Sequence, residues 1–142
     1  MINHLGEIMF KFNKKIYGFE CDVYGHLNNS NYLQLLEAGR AEALIEMNIP
    51  VAYLAELGIS IFINRIEIDY IKPLQLEQIA TVTTETTAIS KVKGTWLQHI
   101  YNHNGELCTK AVVTGVFTKK GKPARMDKEL LETFKSFITP QK

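Results

Sequence analysis

Near the start of the chain Ile8, Phe10 and Phe12 alternate with Met9, Lys11 and Asn13. A period of two is the mark of a strand with one buried face, so a strand is predicted from about Ile8 to Tyr17. A polar, turn-prone stretch follows from Asp22 to Asn31, with Gly25 and the asparagines at 28, 29 and 31. The period then lengthens. Tyr32, Leu36, Gly39, Ala43 and Met47 fall on one stripe at helical spacing, which predicts a helix over about Asn31 to Met47. Asn28, Asn29 and Ser30 are its candidate N-caps. Leu33, Leu44 and Ile45 lie elsewhere around its girth, so the helix is expected to be buried on several sides. Gly39 costs about 1 kcal/mol of helix propensity. Its small neighbours Ala38, Ala41 and Ala43 point to a closely packed partner that offsets this. Asn48-Ile49-Pro50 ends the helix.

The remainder reads as strand. Ile66, Ile68 and Tyr70 alternate with Arg65, Glu67 and Asp69, and Lys72-Pro73 closes that run. Ile79 to Ala88 is rich in threonine and other strand formers. Thr95 to Asn102 and Leu107 to about Thr118 flank Asn104-Gly105, a strong hairpin signal. Lys119 to Arg125 is a basic linker. Asp127 then caps a short helix over 127–138 that docks through Leu130, Leu131, Phe134 and Phe137. The order is strand, long helix, then four strands able to pair antiparallel, in a single domain of residues 1–142. The class is α+β. One helix cannot cover both faces of such a sheet, so its open face and edges predict a homodimer or homotetramer.

Composition adds little. The chain is 46% hydrophobic and 22% charged, with a formal net charge of +1. That is ordinary for a globular domain and makes no broad electrostatic case for nucleic acid or a membrane surface. Cys21 and Cys108 form no Cys-x-x-Cys pair and read as reduced, buried thiols. Residues 1–7 lack the basic start and long apolar core of a secretory signal, and no apolar run approaches ~20 residues. A cytoplasmic location is the expectation.

The candidate chemistry lies between Asp22 and Tyr32. A carboxylate stands in a loop just before a helix, whose N-terminus carries unpaired N–H groups and partial positive charge. That end suits an oxyanion, and a nearby carboxylate can attack a carbonyl or activate water. The alternative is that Asp22 and the asparagines only shape and cap the turn. There is no Gly-rich phosphate loop, no His-Glu-x-x-His helix and no nucleophilic-serine elbow. Asp22 and His26 are too few ligands for a metal.

Asp22-x-x-Gly25-His26-Leu27-Asn28-Asn29-x-x-Tyr32, continued by Glu37-Ala38-x-Arg40, resembles the 4-hydroxybenzoyl-CoA thioesterase-like branch of the hotdog superfamily. Ile68-x-Tyr70-x-x-Pro73-Leu74 extends the resemblance, which spans nearly the whole chain. It implies a hotdog fold, a curved antiparallel sheet of about five strands around one long central helix. It also implies an acyl-CoA thioesterase with active sites at a subunit interface. By this resemblance Asp22 is the catalytic carboxylate, as nucleophile or general base, and the Asn29 backbone N–H is the oxyanion donor. One subgroup carries a histidine at that second position, and this chain does not. Tyr24, Gly25, His26, Asn28 and Tyr32 are the expected substrate contacts; the alternative is a structural histidine at 26 and core aromatics at 24 and 32. No cofactor is expected, since CoA is part of the substrate; a thioester on acyl carrier protein is the other option.

Glu37 is the runner-up acid, and at three residues' spacing it is expected to pair with Arg40. Lys119, Lys120, Lys122 and Arg125, with Lys91 and Lys93 in a separate turn, either meet CoA phosphates or are merely solvated. Two rivals stand beside hydrolysis. One is a non-catalytic hotdog protein that binds acyl-CoA or acyl carrier protein. The other is an enoyl-CoA hydratase-type enzyme, whose Asp and His stand five apart around a proline, unlike Asp22 and His26.

Overall fold

The structure is a computed structural model that describes residues 8–138. The signal reading of residues 1–7 therefore lies outside the described residues. The elements are β1 (Phe10–Lys15), a 3-10 turn (Gly18–Glu20), α1 (Asn29–Glu46), α2 (Val51–Glu56), β2 (Ile59–Tyr70), β3 (Ile79–Ile89), β4 (Lys93–Tyr101), β5 (Leu107–Lys119), β6 (Lys122–Pro123) and α3 (Lys128–Lys135). The main strands run in the spatial order β1-β3-β4-β5-β2, every pair antiparallel, with β6 folded back on the end of β5.

One face of the sheet is covered. Phe10 and Phe12 on β1, Val82 and Thr84 on β3, Trp96, Gln98 and Ile100 on β4, and Ala111 and Val113 on β5 are in register across the strands. They share that face because side chains alternate along each strand. Helix α1 lies over it at β1 and β3, and α3 closes its other end through Phe134, 5.8 Å from Phe117. This is the expected hotdog arrangement of sheet and long helix.

The close partner of Gly39 is β3. A Cβ at this position would stand 2.6 Å from Val82 Cγ1 and 3.3 Å from Thr84 Oγ1. The other face of α1 is less covered than its sequence implies: Leu44 is buried, but Leu33 and Ile45 are exposed. Gln98 is the polar tie between the layers. Fully buried, it donates through Nε2 to the Leu36 carbonyl and to Thr84 Oγ1, both at 2.9 Å.

Several boundaries differ from expectation. β1 is confined to 10–15, although Ile16 still bonds the segment just before β3, donating to the Gln78 carbonyl at 2.9 Å. α1 starts two residues early, at Asn29, since Asn28 takes the cap. α2 was not anticipated, and β2 begins at Ile59 rather than near Arg65. A register shift between Ile63 and Arg65 breaks the alternation there, which hides the strand's first half. Part of the basic linker is the β6 hairpin, with Lys120 at φ 52° and Gly121 at φ 78°. Asp127 does cap α3, accepting the Leu130 N–H at 2.8 Å. The long outer edge of β2 has no partner strand among the described residues. No helix among them is long and apolar enough to cross a membrane.

Candidate active site

The loop before α1 is a small ladder. The Glu20 carbonyl accepts the Asn28 N–H at 2.9 Å, Cys21 and Leu27 bridge antiparallel, and the His26 carbonyl accepts the Asp22 N–H at 2.8 Å. At its tip the Asp22 carbonyl accepts the Gly25 N–H at 3.1 Å. Gly25 has φ 75°, left-handed backbone that glycine adopts without a Cβ penalty. The segment after β2 holds the ladder from outside: Leu27 N–H donates to the Leu74 carbonyl at 2.8 Å, and Leu76 N–H to the Gly25 carbonyl at 2.9 Å. The buried Glu20 carboxylate anchors its base, accepting from Lys14 Nζ and from the Tyr17 N–H at 3.0 Å. Burial pushes the Glu20 carboxyl up, but these bonds and the Lys14 charge outweigh it and hold it below its usual value.

Asp22 is exposed on this frame. Its Oδ1 accepts the N–H groups of Tyr24 at 2.9 Å and His26 at 3.2 Å, while Oδ2 accepts from no described residue. One oxygen thus shapes the turn and the other is free for chemistry. Asn28 Oδ1 caps α1, accepting the Ser30 N–H at 3.1 Å and the Ser30 hydroxyl at 3.0 Å. Asn29 is then the first helical residue, and its N–H has no acceptor among the described residues. Asp22 stands two rungs of the ladder from the cap, roughly 7 Å at ordinary strand spacing.

Tyr24 and Val23 at the tip are 80% and 93% exposed, and Phe19 beside them 87%. His26 and Gly25 are half-buried. Tyr32 is buried: its hydroxyl accepts the Leu74 N–H at 2.9 Å and its ring meets Tyr70 edge-on at 5.0 Å. It braces α1 against the 74–76 segment, and burial pushes its phenol up. Cys108 is buried as expected, but Cys21 is only half-buried. Desolvation first, then the Asp22 and Glu20 charges, raise the Cys21 thiol and leave it a poor nucleophile.

The expected Glu37–Arg40 pair is not formed. Arg40 turns inward and donates through Nη1 to Gln98 Oε1 at 3.0 Å, while Glu37 stays exposed. Burial pulls the guanidinium down, and the Glu37 charge pushes it partly back. Both line a groove of about 510 Å³ between α1, α2 and the first half of β2. Its walls include Ala38, Ala41, Leu44, Leu54, Ile61 and Trp96. The two basic groups, separate in sequence, share one end of the sheet. Lys120 N–H donates to the Gly58 carbonyl just before β2, and Met126 N–H to the Lys91 carbonyl. Gln98, Glu20 and Trp96 carry much of this site and were not singled out from sequence. The one signal for Gln98 was its place in the alternation Trp96-x-Gln98-x-Ile100.

Residues 19–134 match the family model described as the thioesterase-like superfamily. The chain is 28% identical over 127 residues to the long-chain acyl-CoA thioesterase FadM of Escherichia coli (strain K12), covering 87% of this chain and 96% of that one. A DHNA-CoA thioesterase from Staphylococcus aureus superposes with a TM-score of 0.85 at 20% identity, over 90% of this chain and 89% of that one. A 1,4-dihydroxy-2-naphthoyl-CoA thioesterase from Synechocystis does so at 0.79 and 15%, over 89% and 95%. At those identities the two structures establish the fold alone. The chain belongs to the thioesterase-like superfamily, with a hotdog fold. It is a thioester hydrolase.

Proposed function

We propose that the protein hydrolyses acyl-CoA to free CoA and a carboxylic acid, with Asp22 as the catalytic carboxylate. The observation that carries this reading is that Asp22 Oδ2, in the loop leading into α1, and the Asn29 N–H, at the head of α1, each lack a hydrogen-bond partner among the described residues. Asp22 either takes a proton from the attacking water or attacks the thioester carbon itself, giving an anhydride that water then opens. In both routes the C–S bond breaks, the CoA thiolate leaves and takes up a proton, and water supplies the acid's new oxygen. The Asn29 N–H holds the negative charge that builds on the carbonyl oxygen. Tyr24, Gly25, His26 and Asn28 contact the substrate, with Tyr32 behind them. No cofactor is required, as CoA arrives with the substrate.

The working unit in this reading is a homodimer joined along the free β2 edge. A two-fold axis pairs β2 with its copy antiparallel. The end of β2, whose following segment holds the Asp22 loop, then lies beside the start of the partner's β2, where the groove opens. The site is completed between subunits, and the exposed Phe19, Val23 and Tyr24 are covered. Lys119, Lys120, Lys122 and Arg125, with Lys91 and Lys93, stand at that same end and meet the CoA phosphates.

Colorimetric thiol release across short, long and aromatic acyl-CoAs, with acyl carrier protein thioesters beside them, tests the reading. Turnover on at least one acyl-CoA is expected. Binding without release of thiol from any of them would instead favour a non-catalytic acyl-binding protein.

A further inference from the structure

We infer that the groove between α1, α2 and β2 is the acyl-chain subsite, and that Ala41 and Trp96 set how long an acyl chain it can take. The inference rests on the thioester-hydrolase reading and adds the substrate's hydrocarbon part to it.

The floor of the groove follows from two glycines. Gly94 on β4 and Gly115 on β5 are direct cross-strand partners. A Cβ at Gly94 would stand 2.7 Å from Trp96 Cη2, and one at Gly115 would stand 3.3 Å from Trp96 Cζ3 and 2.7 Å from Ile61 Cγ2. With both side chains missing, the indole lies down across the strands toward β2 instead of standing off the sheet. It is 4% exposed and forms one apolar wall. The opposite wall is α1, where Ala38 and Ala41 are methyl-sized and leave the space open. Leu54 and Ala55 of α2 close the end.

The other concavities among the described residues do not compete. The one lined by Lys11, Asn13, Thr81, Thr83 and Tyr101 is of similar volume but far more polar, the one around Leu76, Glu77 and His103 is about 280 Å³ and lies at the outer end of β3, where that strand starts, and the one between β1 and α1 is only about 90 Å³. A thioester's acyl tail must leave water to bind tightly, and this groove offers it a mainly hydrocarbon surface of sufficient size, with Glu37 and Arg40 among its few polar lining residues. A methylene takes up space comparable to a water's share of the liquid, about 30 Å³, so the groove holds a chain on the order of a dozen carbons or somewhat more. Each methylene buried should raise kcat/KM roughly fourfold until the groove is full.

Trp96 is the chain's sole tryptophan, so its fluorescence reports on the groove without any need for catalysis. The experiment measures thiol release with butyryl-, octanoyl-, dodecanoyl- and hexadecanoyl-CoA, each below its micellar concentration. In parallel, Trp96 emission is titrated with dodecanoate. The proteins are the wild type, Ala41→Phe and Ala55→Phe; the second variant sits on an exposed face of α2 and keeps the test open should the first fail to fold. The expected result is a steep rise of kcat/KM with chain length that flattens at shorter chains in the variants. Dodecanoate should shift Trp96 emission in the wild type, and at least tenfold more should be needed in the variants. Thiol release with chain-length curves that are the same in all three proteins, together with a silent Trp96, overturns the groove and leaves hydrolysis standing. A Trp96 response lost in the variants, in a protein that releases thiol from nothing, keeps the groove and removes hydrolysis.

Discussion

Asn29 separates what a side chain does from what a backbone atom does. It is the first helical residue and Asn28 holds the cap, so its own side chain makes no capping bond. Asn29→Ala should therefore leave melting temperature and turnover close to wild type. Asn28→Ala should cost about 1 kcal/mol of stability through the lost cap. Proline is favoured at the first helical position, where no N–H is needed for the helix. The preceding Asn28, at φ −65° and ψ 143°, already has the extended backbone that a following proline requires. Asn29→Pro should fold, as circular dichroism will report, and lose roughly 10²–10³ in turnover, the scale of one oxyanion donor. A folded proline variant as active as the alanine one would move the donor elsewhere. The Asp22–Tyr32 motif was legible in sequence because its residues are contiguous. Gln98 was not, since its partners Leu36, Arg40 and Thr84 are distant in the chain and meet only after the sheet closes on α1.

At the level of elements, α1 is fixed on the sheet by close approach. Propensity alone would make Gly39→Ala stabilising by about 1 kcal/mol. The contact with Val82 opposes this, because a valine in a strand has little rotamer freedom with which to give way. Overpacking of this kind costs about 1–3 kcal/mol, so the variant should lose stability in urea titration. A gain would mean that α1 can ride off β3 freely. Gly39 was readable as a close-packing site because an uncompensated glycine stands mid-stripe. The six residues of α2 were not readable: they are too few to establish a period, and Pro50 before them looks like a stop although it serves as the N-cap. The first half of β2 was hidden by the irregularity at Asn64, which puts Ile63 and Ile66 three apart where a strand's alternation demands two. Without these two unread elements the groove has no second side beside α1, which is why it was hidden in the sequence.

For the whole molecule, the twelve-residue β2 needs a partner along the edge left free among the described residues. Light scattering at micromolar concentration should give a dimer or a dimer of dimers. An active monomer would contradict both that assembly and a site completed between subunits. In the proposed mechanism hydrolysis itself depends on one group, the Asp22 carboxylate. Asp22→Asn tests it most directly. The amide oxygen can still accept the Tyr24 and His26 N–H groups that Oδ1 accepts now, so the loop and the melting temperature should be kept. What is lost is the base or nucleophile. Thiol release from the best acyl-CoA substrate should fall by at least about 10²-fold. Near-normal turnover in a folded Asp22→Asn protein would contradict the account and turn attention to Glu37, the exposed acid at the groove.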